Sequence, residues 1–109
     1  MILNFQSEEL RDICEKRSVA TEVIGPTAAL ELAQKLADLE ACETVSEFCS
    51  LNPDVVADIS DTEKCIRLAS GHQIKLRSGH PTYPDPPAEI TNWSATTRVR
   101  IFCIEANHG

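Results

Sequence analysis

Apolar residues in the first half of the chain recur at helical spacing, and those in the second half alternate with polar ones. Residues 2–6, ILNFQ, predict a short opening strand with Ile2 and Phe5 as core contacts. Ser7 is a good helix N-cap, and Glu8 and Glu9 fall in the first turn, where the helix dipole favours acids. Leu10, Ile13, Cys14 and Arg17 continue at helical spacing, so the first helix is expected to run to about Arg17. Gly25-Pro26 opens a longer helix, since proline suits a first turn. Its apolar stripe is Ala29, Leu32, Ala33, Leu36 and Leu39, with Glu31, Lys35, Asp38 and Glu40 largely on the other side. Thr44 and Glu47 form a capping-box pattern. Val45, Phe48 and Leu51 follow as a short third helix that Asn52-Pro53 stops.

Beyond residue 53 the period changes. Val55, Val56, Ile59, Ile66 and Leu68 alternate with polar positions, Ala69-Ser70-Gly71 reads as a turn, and Ile74 and Leu76 continue beyond it. Residues 64–77 therefore predict a β-hairpin. Residues 78–92 carry Pro81, Pro84, Pro86 and Pro87 and predict an irregular loop with stiff extended stretches. TRVRIFCIE, residues 97–105, predicts the last strand. The expected fold is one α+β domain over residues 1–109, with an N-terminal strand and helices packed on a mainly antiparallel, twisted C-terminal sheet.

Alternation also sorts the side chains by face. If Ile66, Leu68, Ile74 and Leu76 meet the helices, Arg67, Lys75 and Arg77 point the other way. In the last strand Arg98 and Arg100 share one face, and Val99, Ile101 and Cys103 the other. A gathering of these cations would suit phosphate, which guanidinium binds with a bidentate fork. The charge distribution agrees. The net charge of −7 hides an acidic stretch, residues 1–63 with fourteen acids and four bases, and a basic one, residues 64–109 with three acids and six bases. All three histidines, His72, His80 and His108, lie in the basic half, and imidazole is the natural acid–base group near neutral pH. His108 follows directly on the strand that holds both arginines.

Several classes fall away. No apolar run approaches the roughly 18–20 residues of a membrane span, and MILNFQSEEL lacks the basic start and apolar stretch of a secretory leader. A cytoplasmic protein with no membrane partner is expected. The five cysteines, Cys14, Cys42, Cys49, Cys65 and Cys103, are odd in number and show no C-x-x-C spacing, so they read as small buried hydrophobes. No histidine spacing resembles a metal motif, and no cofactor is implied.

Several stretches resemble one family. Phe5 to Cys14 (FQSEELRDIC) is similar to an opening F-x-S-x-x-L-x-x-x-C, and Leu36 to Val45 (LADLEACETV) to a helix end L-x-x-L-x-A-x-x-T/S-L. Ser70-Gly71-His72-Gln73-Ile74 sits where members carry S-G-Y-R-L, and His80-Pro81 with Pro84 resembles an H-P-x-x-P loop. Asn92 to Ile104 (NWSATTRVRIFCI) is similar to D-W-S-x-V-T-x-I-R-I-L-x-I, and Ala106-Asn107-His108-Gly109 stands where members end D-Y-H-G. These are features of the RelE/ParE toxin superfamily, in its HigB-like killer protein branch. The resemblance implies a RelE-like fold and the toxin of a type II toxin–antitoxin pair, a ribosome-dependent mRNA endoribonuclease held by a helix-turn-helix antitoxin. It implies His108 as general acid or base, with His80 as a substitute. Arg98 or Arg100 would meet phosphate charge, and Arg67, Lys75 and Arg77 would hold the RNA backbone. Gln73 stands where members commonly have Arg, and Ala106-Asn107 where they have Asp-Tyr. The alternative is therefore a catalytically degenerate toxin fold that serves as a binding or regulatory module.

Overall fold

The computed structural model describes residues 1–80 and 91–106. The chain runs β1 (Ile2–Phe5), α1 (Glu8–Glu15), α2 (Arg17–Ile24), α3 (Pro26–Ala41), α4 (Val45–Leu51), β2 (Val56–Asp58), β3 (Glu63–Arg67), β4 (His72–Ser78), a turn of 3-10 helix (Trp93–Ala95) and β5 (Arg98–Ala106). The fold is α+β. Its five-stranded sheet has the order β1-β5-β4-β3-β2, with β1 parallel to β5 and the other pairs antiparallel.

The caps expected from sequence form. The Ser7 side chain accepts the Leu10 N–H at 3.2 Å. Thr44 accepts the Glu47 N–H at 3.2 Å, while the Glu47 carboxylate reaches back to the Glu43 N–H at 2.9 Å. The first helix stops earlier than expected, at an extended Lys16, and α2 starts at the next residue. Val19, Thr21, Val23 and Ile24 give α2 poor intrinsic propensity. It forms because Ala20 is buried and Ile24 packs against the core. Gly25, at φ +88°, ends α2, and Pro26 begins α3.

The helices contribute to one core on one side of the sheet. Leu32, Leu36 and Leu39 of α3 and Val45 and Phe48 of α4 meet Ile66, Ile74, Leu76, Val99 and Ile101, all nearly or fully buried, and Ile13, Cys14 and Ile24 pack against this cluster. Ile2 departs from its expected role. It is paired with Arg98 on the opposite face and is half exposed, whereas Leu3 and Phe5 face the core. Leu51, expected on the apolar side of α4, is also exposed. The 69–71 turn closes the β3–β4 hairpin with Gly71 at φ +97°. The Glu31 carboxylate of α3 accepts the backbone N–H groups of Ala69 and Ser70, which fastens the turn to the helix layer. No helix among the described residues is long and apolar enough to cross a membrane.

Candidate nucleic-acid interface

Cross-strand register brings three arginines together. Arg77 of β4 is the direct partner of Arg100 of β5, and the Gly79 N–H bonds the Arg98 carbonyl at 2.8 Å. A side chain at Gly79 would lie about 3.0 Å from the Val99 backbone, so glycine permits this close approach. Leu76, Val99 and Ile101 point into the core, so the residues alternating with them, Arg77, Arg98 and Arg100, point away from the helices. Arg98 and Arg100 are exposed. Asn4, beside Arg100, and Gln6 continue the same surface at β1.

The other expected cations spread along this face. Lys75 lies one alternation step from Arg77, and Glu105 of β5 holds its ammonium at 2.5 Å. The hydrogen bond to Glu105 is the main reason the Lys75 ammonium is pushed above its ordinary range. Arg67 is exposed and pairs with Gln73, which in turn pairs with Glu105. Four residues along β4 separate Gln73 from Arg77, about 13 Å, so Arg67 stands at the far end of the face. Among the described residues no ion pair falls on Arg67, Arg77, Arg98 or Arg100.

The histidines divide. His80 closes the cationic end, where its Nε2 accepts the Thr97 backbone N–H at 2.9 Å. That nitrogen's lone pair is committed to the backbone. His72 lies at the hairpin turn beside the Ser70 hydroxyl, 3.2 Å away, and opposite Ala106. His108 and Asn107 lie outside the described residues, as do Pro81, Pro84, Pro86 and Pro87.

One expectation is corrected. Cys103 does not share the core face with Val99 and Ile101. Leu76 pairs with Ile101 but Lys75 pairs with Cys103, so Phe102 is an extra residue, a β-bulge. The bulge moves Cys103 onto the face of Lys75 and returns Ile104 to the core. Phe102 is half-buried and is absent from the core cluster, and the Arg77 guanidinium lies over its ring, 5.2 Å from the centroid. The same guanidinium donates from Nη2 to the Gln6 Oε1 at 2.6 Å. Alternation carries Phe102 outward with Arg98 and Arg100, and Gln6 outward next to a core-facing Phe5, but neither bears a charge that singles it out, and Glu105 falls on the wrong face because the bulge lies before it. The signal for the bulge is the unbroken apolar run Ile101-Phe102-Cys103-Ile104, which no regular half-buried strand needs.

Comparison with family models, with curated proteins and with solved structures gives no match.

Burial pushes the thiols of Cys14, Cys42, Cys49 and Cys103 upward, with added repulsion from Glu15 at Cys14 and from Glu105 at Cys103, and Cys65 is buried. Among the described residues no group of His, Cys, Asp and Glu is placed to hold a metal ion. The chemistry that remains is that of an anion-binding surface, with guanidinium forks at one end and an ion-paired lysine at its middle.

Proposed function

We propose that this chain is a toxin-fold protein of the RelE/HigB-like kind that engages the RNA phosphate backbone through Arg77, Arg98 and Arg100. The supporting observation is the direct pairing of Arg77 with Arg100 beside Arg98. Like charges opposite one another weaken a sheet. A fold that keeps them adjacent gains from an anion that neutralises both, and a phosphodiester backbone supplies one at every nucleotide. In this reading the protein is the toxin of a type II pair in the cytoplasm. A helix-turn-helix antitoxin restrains it, and mRNA on the ribosome is its substrate. His108 moves protons between the attacking 2′-hydroxyl and the leaving oxygen, and Arg98 and Arg100 stabilise charge on the phosphate.

A second reading has its own support. His80 spends its Nε2 on the Thr97 N–H, and Glu105 neutralises Lys75. Gln73 and Ala106 replace groups that resembling proteins use. These features favour a relative that binds RNA or its antitoxin without cutting.

Induced expression with primer extension on cellular mRNA separates the readings. The nuclease reading expects growth arrest and new mRNA ends, both abolished by Arg100→Ala and by His108→Ala in folded protein. Harmless expression, with purified protein still retaining RNA through Arg98 and Arg100, selects the binding module. A folded protein that neither arrests growth nor binds RNA overturns both.

A further inference from the structure

Phe102 is an apolar side chain that the fold places on a cationic surface. Alternation along β5 turns Val99 and Ile101 inward and Arg98, Arg100 and Phe102 outward, and the bulge at Phe102 keeps Cys103 and Glu105 on that same outer face while Ile104 returns to the core. The extra residue sits two positions beyond Arg100, and bulges of this kind re-aim side chains beside binding sites. Arg77, held by Gln6 at one edge, lies over the ring. The pair therefore makes a flat, positively charged platform, oriented before any ligand arrives.

We propose that the Phe102–Arg77 platform stacks a nucleobase of single-stranded RNA while Arg100 and Arg98 hold the phosphates that follow. This rests on the RNA reading above and deepens it, by naming single strands with accessible bases as the ligand. Arg98, Arg100 and Phe102 occupy successive outward positions along β5. Outward positions on a strand repeat about every 6.6 Å, a step commensurate with successive nucleotides of an extended single strand. Aromatic rings and guanidinium planes accept any base, because every base has a π-face, so the platform confers a preference for unpaired RNA over duplex and little preference among sequences.

The experiment compares three ligands on the full chain by fluorescence anisotropy: a single-stranded RNA oligonucleotide, the same sequence as a duplex, and inorganic polyphosphate. Polyphosphate has the charge without the bases. Phe102→Leu is expected to weaken single-stranded RNA binding about ten-fold or more and to change polyphosphate binding less than about two-fold, and Phe102→Tyr is expected to restore the RNA affinity. A 2-aminopurine placed in the oligonucleotide should be quenched by the wild-type protein and not by Phe102→Leu. Circular dichroism and Trp93 fluorescence verify that each variant folds. Equal effects of Phe102→Leu on RNA and polyphosphate, or no effect on either, overturn the platform and leave the arginine reading intact. A wild-type protein that binds none of the three ligands overturns both.

Discussion

Cys14 sits where α1 meets the core, and desolvation, reinforced by Glu15, pushes its thiol up from 9.0 to about 12. In the unfolded chain this thiol ionises near its ordinary value, whereas the folded protein keeps the proton up to about pH 12. Between those limits the native state binds more protons than the unfolded one, so stability falls as pH rises from 9 toward 12. Below the lower limit both states hold the proton and the contribution is flat. Urea unfolding of wild type and Cys14→Ala at pH 8, 9, 10 and 11 checks this. The variant should be less stable at pH 8, having lost a packed side chain, but its stability should decline less steeply above pH 9. Parallel decline in the two proteins would show that folding does not raise the Cys14 thiol. The apolar surroundings of the cysteines read all five as small buried hydrophobes; this holds for Cys14, Cys42, Cys49 and Cys65, which are buried or pack against the core, and not for Cys103, which the bulge turns to the outer face beside Lys75 and Glu105. The placement of Ile2 is not read correctly from its apolar character. Ile2 and Phe5 are three apart, an odd spacing that puts them on opposite faces of a strand, and only Phe5 takes the core side.

Among the elements, β5 carries most of the candidate site and is the least legible. The hairpin of β3 and β4 follows from strict alternation around a turn with glycine at the left-handed position, and its face assignment for Arg67, Lys75 and Arg77 holds residue by residue. The same alternation fails in β5 at the bulge, because a pattern with period two carries no provision for an added residue. Helix α2 escapes for a different reason: β-branched residues argue locally against helix, and packing of Ala20 and Ile24 overrides them. The bulge leads to a specific expectation. Removing Phe102 leaves Val99, Ile101 and Ile104 facing the core and Arg98, Arg100, Cys103 and Glu105 facing out, in unbroken alternation. The deletion variant should therefore fold, at a cost of about 1 kcal/mol, and retain amide protection across β4 and β5. Hydrogen exchange and urea denaturation measure this. An unfolded deletion variant would mean that the bulge is needed to shape the sheet and not merely to present a side chain.

For the whole molecule, the arrangement of charge decides how binding responds to salt. The helices carry most of the acids and cover one side of the sheet, while Arg77, Arg98 and Arg100 stand on the other. The shortest extent of the molecule is 28 Å. At 0.1 M salt the Debye length is about 10 Å, so an anion at the arginines is largely screened from the acidic side; at 0.01 M it reaches about 30 Å and that side is felt. Single-strand binding should thus follow a logarithmic salt slope of roughly −2 near 0.1 M, the value for three phosphate contacts at about −0.7 each. The slope should flatten toward 0.01 M as repulsion from the helices enters. Arg100→Ala should reduce the magnitude of the slope by about 0.7. Glu105→Gln should raise it by a similar amount, because Lys75, now bound to Glu105 at 2.5 Å, becomes available to a fourth phosphate. Anisotropy titrations of single-stranded RNA with the wild type and both variants, across a series of salt concentrations, supply these slopes. A slope unchanged by Arg100→Ala would place the phosphate contacts elsewhere on the molecule, and an unchanged slope for Glu105→Gln would confine the anion site to the three-arginine end of the sheet.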